Sequence, residues 1–373
     1  MRIPIRVLDK SFKLLAETNI YDSISYSKSH YDIGSLELHI SSSVALSRHL
    51  IPGNYIMVQK QRDHVYLIQS RVITMTEVKN VDKIKINAIA IDGILMRRIC
   101  VPQSGNLNVY YGGPADYVMK QYVRSQMGDL AHSHRTQPSF KVADATLVST
   151  DPFVGHYARY SNLAEEIMNL AITHDLGWQV TLDSIGGTYG LLFDTVTGVD
   201  RSISQNKVRP VVLSPELGTI KNLSYTESVE NFKSFAYIGG PGEGVSRVII
   251  EYANASQYQN DNRFEVFLDG GTDSETIMDA IDVDLKKYSN YVYLEGSLNT
   301  AGQYKYGTHF KCGDMLTIRN GRWGLEANVR VTEVKVTNDS NGFEVDITLG
   351  SAMPNVFSRI KQDIRPAINN TRR

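Results

Sequence analysis

The chain has 373 residues, enough at roughly 150 residues per domain for two or three domains with cores of their own, which excludes disorder over most of its length. Lys and Arg number 39 against 40 Asp and Glu, a formal charge of −1, so the overall balance argues against a protein that lives by gripping phosphate. With 28 Gly and 11 Pro the chain is neither collagenous nor of low complexity, and its two cysteines, Cys100 and Cys312, are too few for a disulfide framework or a thiolate zinc site. Tyrosine stands out, with 21 residues against 11 Phe and 2 Trp. A Tyr ring buries apolar area while its hydroxyl stays wet, which suits subunit interfaces; it also favours strands, and both readings stand.

Met1 to Lys10 alternates apolar and polar residues without a continuous apolar stretch, so no secretion signal is expected there. Nowhere do 18 apolar residues run together. The expectation is a soluble chain made in the cytoplasm, where Asn-x-Ser/Thr sites such as Asn222 and Asn254 carry no weight.

Residues 1–100 read as successive strands: Ile3 to Leu8, Ser23 to Ser27, Ser35 to Ile40, Tyr55 to Gln59, Val65 to Met75 and Lys83 to Ile91. Turn residues such as Ile33-Gly34 and Pro52-Gly53-Asn54 separate them. The last of these strands starts amphipathic and is apolar on both faces by Ile89, which predicts a cover over that end. Six short strands in a hundred residues suggest a barrel or sandwich.

Residues 101–210 change texture. Ile94 to Ile99 reads as a helical turn or two. Pro114 sits where a helix can start, with Val118, Met119, Tyr122, Val123 and Met127 on one face and Gly128 as the stop. A second helix opens at Asn162, a side chain able to cap while Glu165 reaches back; Leu163, Ile167, Leu170, Ala171 and His174 form its stripe and Gly177 follows its end. Strands Trp178 to Leu182 and Tyr189 to Asp194 flank a hairpin loop at Ser184-Ile185-Gly186-Gly187-Thr188. The segment reads as a small α+β unit inserted between two β-rich parts.

Residues 211–353 return to strands, at Thr219 to Thr226, Lys233 to Ile238, Arg247 to Tyr252, Arg263 to Leu268, Tyr291 to Glu295, Met315 to Arg319, Ala327 to Thr337 and Glu344 to Leu349. One helix interrupts them, capped by Ser274, with Asp273 and Glu275 at its start, Lys286 and Lys287 at its end, and Ile277, Ile281, Leu285 and Tyr288 as its apolar face. Residues 354–373 carry Arg359, Lys361, Arg365, Arg372 and Arg373 against Asp363 and read as a mobile basic tail, or as a docking strip for an acidic partner.

No constellation amounts to an active site, so no catalytic, cofactor-binding or metal-binding residue is assigned and no cofactor is expected. The loop Gly239-Gly240-Pro241-Gly242-Glu243-Gly244 follows a strand but precedes another, and without a helix N-terminus it reads as a hairpin connection, not a phosphate loop. Ser25-Tyr26-Ser27-Lys28 has the spacing of acylating hydrolases, yet positions three apart on a strand face opposite sides and the companion motifs are absent. His132 and His134, near Asp129 and Asp144, fall short of the three or four ligands that a metal needs, and His174 serves its helix dipole. Neither Glu165 with Glu166 nor Asp282 with Asp284 has anything to drive an acid and a base apart. Charge tilts only mildly along the chain: 14 basic against 9 acidic residues in 1–100, 8 against 10 in 101–210, and 17 against 21 in 211–373.

Four stretches, in order, resemble a known family. Tyr31-Asp32-Ile33-Gly34-Ser35-Leu36-Glu37-Leu38 is similar to the Tyr-x-x-Gly-x-Phe-Glu-Leu stretch of siphophage minor tail proteins of the tail-associated, baseplate-hub family. Ile91 to Ile99 resembles that family's Gly-x-x-Leu-x-x-x-Leu-x-x-Arg, and Ala236 to Gly244 followed by Arg247 its Gly-x-Gly-Glu-Gly-x-x-Arg hairpin. Phe310 to Ile318, then Gly324 to Glu333, resembles its Gly-Asp strand and the strand pair that follows, with Cys312 where a leucine is usual and Pro241 inside the glycine hairpin.

The resemblance implies a mainly β protein with an α+β insertion, in which two tube-like antiparallel β-barrel domains, 1–100 and 211–353, flank the 101–210 unit. It further implies a homotrimer at the virion's tail tip, assembled in the host cytoplasm, that caps the tail tube, adapts six-fold to three-fold symmetry and gates DNA passage. Its implied partners are the distal tail ring protein, the tail tube and tape-measure proteins, and a tip spike or receptor-binding protein, with DNA only in transit and no membrane segment of its own. Many relatives continue into a fibre, peptidase or glycan-cleaving domain, whereas this sequence stops soon after its last strand, so an enzyme is not expected. The alternatives are a tail-associated cell-wall hydrolase and the hub of a bacterial phage-derived contractile particle.

Overall fold

Two-residue alternation in the first hundred residues does build strands. In the computed structural model they are β1 (Ile5–Leu8), β2 (Leu14–Thr18), β3 (Ser23–Ser29), β4 (Ser35–Ser41), β5 (Tyr55–Val58), β6 (Val65–Thr74) and β7 (Lys83–Ala90). The structure describes residues 2–350 except 76, 78–80, 147–151, 186–187, 254–257, 270–287 and 289. The helix expected at Ser274, the pair Asp282 and Asp284, and the basic end 354–373 lie outside the described residues, as does the Gly186-Gly187 tip.

In the middle of the chain lie β8 (Val109–Gly113), α1 (Ala115–Gln126), β9 (Phe140–Val142), β10 (Val154–Ala158), α2 (Leu163–His174), β11 (Gly177–Ile185) and β12 (Thr188–Val196). Strands then resume as β13 (Val212–Leu213), β14 (Ile220–Ser228), β15 (Phe235–Gly239), β16 (Ile249–Ala253), β17 (Glu265–Asp269), β18 (Tyr291–Leu298), β19 (Met315–Asn320), β20 (Leu325–Asn338) and β21 (Phe343–Gly350). The molecule is mainly β.

A 13-stranded sheet runs β14-β18-β21-β20-β3-β4-β7-β6-β5-β1-β2, with β19 pairing β20 and β13 pairing β19. Strand β20 is long enough to serve three neighbours. Its first half pairs β19 from Met315 opposite Arg330 to Asn320 opposite Leu325, and its second half pairs β3, with Val336 opposite Tyr26, on one side and β21 on the other. The two β-rich stretches therefore share one sheet, and they share one apolar core: Ile5, Leu38, Ile56, Ile86 and Ala90 pack in the same cluster as Leu294, Leu316, Val334, Val336 and Ile347.

A second core explains the apolar runs. Because successive strand residues face opposite sides, β5 sends Ile56 and Val58 into the shared core and Tyr55 and Met57 to the other face; β6 does the same with Tyr66 and Ile68 against Val65 and Leu67. That other face is covered by the α+β unit: Val118, Met119, Tyr122 and Val123 of α1, Met127 just past its end, and Leu163, Ile167, Leu170 and Ala171 of α2 are buried there. Ile89 packs against this second core, the cover that the last strand of the first stretch predicted.

The helix ends follow the sequence signals closely. Pro114 precedes α1, and past its end the Gly128 amide donates to the Val123 and Arg124 carbonyls. Asn162 Oδ1 accepts from the Ala164 amide at 3.0 Å, capping α2. The left-handed residue that ends α2 is Asp175, φ 51°, and not Gly177. Gly177 opens β11 for a packing reason: a Cβ there would stand 2.1 Å from His30 Cε1.

Several strands escaped the sequence reading. β2 lies at a sheet edge with Leu14 and Leu15 exposed, so no buried face enforces alternation; β9 is three residues long; β8 and β10 pair only with each other. Residues 235–269 form a separate three-stranded sheet, β16-β15-β17, over the small cluster Ala236, Ile238 and Leu268.

Candidate functional site

One group of ionisable side chains, His30, Asp92 and Asp314 buried among them, lies where three parts of the chain meet: the end of β3 with the turn after β7, the α2–β11 junction with the exit from β12, and the loop before β19 with β20. His30 lies at the centre. It is buried between Gly177 and Gly313, its amide donates to Thr332 O at 2.9 Å, and its carbonyl accepts from the Trp178 amide at 3.2 Å. Arg330 on β20 holds Asp175 with both arms, Nε to Oδ1 at 2.9 Å and Nη2 to Oδ2 at 2.7 Å, while its Nη1 donates to the carbonyls of Thr197 and Gly313 at 2.8 and 2.7 Å. Tyr31 donates its hydroxyl to the same Asp175, and Trp178 Nε1 donates to Tyr31 O at 2.9 Å. Burial raises the Asp175 carboxyl, but the hydrogen bonds from Arg330 and Tyr31 outweigh it and leave the group below its ordinary value.

Asp314 forms the second joint. Buried beside Gly313, it accepts from the Val199 amide at 2.8 Å and from Arg201 Nε and the Lys311 amide at 2.9 Å each. Here the chain leaves the α+β unit and rejoins the sheet. The third joint is Asp92, just past β7: its Oδ1 accepts from the Val180 amide at 2.5 Å and its Oδ2 lies 3.6 Å from Lys28 Nζ. Burial raises the Asp92 carboxyl above the usual carboxylate range, against the pull of Lys28.

The His30 imidazole is pushed down to about 4 by burial and then by the charge of Arg330. Its Nε2 is buried without a partner, so the native state has no place for the extra proton. An unfolded His titrates near 6.5, so between about pH 6.5 and 4 the unfolded chain takes up a proton that the native chain refuses. Stability should be full above pH 6.5 and fall by about 3 kcal/mol as the pH drops through that window. Chemical unfolding at pH 7 and pH 4.5 checks this: His30→Gln should lose clearly less on acidification than the parent.

Residues tested for chemistry in the sequence are dispersed. Ser25 Oγ lies 3.3 Å from Thr337 Oγ1, while Lys28, three positions on, is buried against Asp92. His132 and His134 stack at 5.8 Å between ring centroids, both exposed. Glu166 bonds His156 Nε2 at 2.9 Å, apart from Glu165. Among the described residues no three His, Cys, Asp or Glu side chains converge as metal ligands, and no helix is long and apolar enough to cross a membrane. Cys100 is a buried thiol pushed up to about 12 by that burial.

The glycine loop is a hairpin connection: β15 pairs β16 antiparallel, Gly239 opposite Ile249. Its carbonyls, not its amides, converge. Arg247 donates from Nε to Gly240 O and from Nη2 to Gly239 O, both at 3.1 Å, bonds Asp269, and lies over the Phe267 ring; a Cβ on Gly239 would stand 2.5 Å from its guanidinium carbon. Such a loop neutralises one arginine and has nothing to offer phosphate. Arg247→Lys keeps the charge but loses the planar fork, and should cost about 1–2 kcal/mol, seen as faster amide exchange confined to β15–β17.

These positions coincide with the four stretches of resemblance: Tyr31 in the first, Asp92 in the second, Gly239 and Arg247 in the third, Gly313, Asp314 and Arg330 in the fourth. The family model of the Siphovirus ReqiPepy6 Gp37-like protein matches residues 4–351. The chain belongs to that family. Its fold is shared with the tail protein from Neisseria meningitidis MC58, at TM-score 0.57 and 12% identity over 94% of this chain and 97% of that one. It is likewise similar to the 43 kDa tail protein of prophage MuSo2 from Shewanella oneidensis (TM-score 0.55, 13% identity, 94% and 98% covered) and to prophage tail protein gp18 from Listeria monocytogenes (0.51, 13%, 97% and 98%). No curated protein gives a match. Family membership thus rests on the whole span of the chain, and three of the four stretches of resemblance each supply a residue to the joints, Tyr31, Asp92 and Asp314.

What sequence reasoning missed is the role of these residues. Lys28 in a strand of small and aromatic residues, and Asp92 in the apolar run after β7, were the available signals, since a charge among core positions requires a partner. The partnership of Asp175 with Arg330 left no local trace.

Proposed function

We propose that the protein is a structural component of a phage tail tip, a trimeric hub that caps the tail tube. In this reading its two β-rich stretches form the two tube-like units of each subunit, giving a ring of six-fold character on a three-fold tip. The observation that carries the reading is the likeness to phage tail proteins over almost the full length of both chains, on a scaffold whose ion pairs and hydrogen-bonded carboxylates join its parts. The distal tail ring, tail tube and tape-measure proteins are its expected neighbours, with a spike or receptor-binding protein at the tip, and the assembled virion tail is its location. It acts without enzymatic chemistry, opening a closed channel to let DNA leave.

DNA that must slide through should not be held, because each phosphate neutralised adds salt-dependent affinity. The lumen of the ring is therefore neutral or acidic, and the basic excess of residues 1–100 faces other proteins. Electron microscopy of the tail tip tests both statements: a three-fold ring of this chain with few Lys and Arg on its lumen is expected. A monomeric protein that joins no tail component, or a lumen lined with Lys and Arg, would refute them.

A further inference from the structure

Three arginines meet at one place on the α+β unit, outside the joints described above. Arg97, Arg98, Ile99, Val101, His134 and Arg135 line a hollow of about 370 Å³. Two of the guanidiniums, those of Arg98 and Arg135, are held by backbone carbonyls. Arg98 donates from Nη2 to the Arg135 carbonyl at 3.3 Å, and Arg135 from Nη2 to the Ile99 carbonyl at 2.7 Å and from Nη1 to Gln126 Oε1 at 2.8 Å. Other arginines of the molecule, such as Arg330 and Arg201, find carboxylates in Asp175 and Asp314. Among the described residues no carboxylate forms an ion pair with Arg97, Arg98 or Arg135. Arg98 Nε is buried without a hydrogen-bond partner, and Arg97 is exposed.

Three like charges held together without a counter-charge are costly, and a buried guanidinium N–H without an acceptor adds to that cost. An anion in the hollow would supply the missing counter-charge. A single carboxylate brings one negative charge and two oxygens, fewer than three guanidiniums and an imidazole can use. A tetrahedral phosphate brings up to two charges and at least three accepting oxygens, and its oxygens match the guanidinium fork.

We propose that Arg97, Arg98, Arg135 and His134 form a binding site for a single phosphate group, taken either as the free ion or as a sugar phosphate.

Titration calorimetry on the full-length protein at constant ionic strength tests the site, with inorganic phosphate, a hexose phosphate and a single-stranded oligonucleotide as separate ligands. Saturable binding of inorganic phosphate in a 1:1 ratio is expected, weakened about tenfold or more in Arg98→Gln. Arg97→Gln removes an exposed side chain and one of three like charges, so its unfolding midpoint without phosphate should equal or exceed the parent's while its phosphate affinity falls by a similar factor. Tighter binding of the hexose phosphate assigns the site to phosphorylated sugar, and equal or weaker binding assigns it to the free ion. The proposal is overturned by the absence of saturable phosphate binding, by unchanged affinity in both variants, or by an oligonucleotide that alone binds tightly with a steep salt dependence, the mark of diffuse attraction.

Discussion

Replacing Asp314 by alanine should destabilise the protein by about 3–5 kcal/mol, read as a large fall in the midpoint of chemical unfolding. The carboxylate is buried and takes three hydrogen bonds, from Val199, Arg201 and Lys311. Its removal strands two backbone amides and one guanidinium at the point where the α+β unit rejoins the sheet, and stranded donors cost more than the bonds themselves contribute. Arg201→Met tests the asymmetry. The Arg201 side chain is 25% exposed, and Asp314 would keep both amide donors, so the loss should stay near 1–2 kcal/mol. Equal losses in the two variants would show that the ion pair, and not the amide donors, carries the joint.

Gly198→Ala is the second substitution expected to act strongly, by about 2–5 kcal/mol from backbone strain and overpacking together. Gly198 has φ +72°, and a Cβ there would stand 1.9 Å from the Gly313 carbonyl oxygen, so backbone must move away from backbone. Gly218→Ala is the control. Gly218 has a similar φ of +62° with nothing within 4 Å of a Cβ, so it should show the strain alone, roughly 1–2 kcal/mol. Hydrogen exchange places the damage: for Gly198→Ala, protection should fall first at the Thr197–Arg201 junction and in β11 and β12, while β3, β4 and β7 keep theirs. A loss no larger than that of Gly218→Ala would remove the close approach as a cause.

Much of the strand content was legible because it is local. β7 reads Lys-Ile-Lys-Ile-Asn-Ala-Ile-Ala, and its burial alternates in step. α1 and α2 were legible for the same reason, with every residue placed on the α1 face fully buried. Edge positions were not: β2 has no buried face, so nothing in its composition marks it as a strand. The tyrosine excess had two readings, subunit interfaces and strand preference, and the second fits Tyr26, Tyr55 and Tyr66, which lie buried in β3, β5 and β6. Tyr66 and Tyr122 are fully buried, with hydroxyls given to the carbonyls of Ser27 and of Val109 and His156. Tyr110, Tyr160, Tyr189 and Tyr225 remain exposed, which leaves them available for subunit contacts.

The sequence by itself determined the mainly β character, the helix faces and the family, because periodicity, caps and short motifs are written within a few residues of one another. The tertiary structure alone decided that the first and last stretches form one sheet, since the pairing of β3 with β20 joins residues 312 positions apart, as at Ser25 and Thr337. It also decided which motif residues matter and why. Tyr31 and Asp175 lie 144 positions apart, and Asp175 and Arg330 a further 155. A charged side chain inside or at the edge of the fold finds its partner only where the fold brings it, and no local pattern records who that partner is.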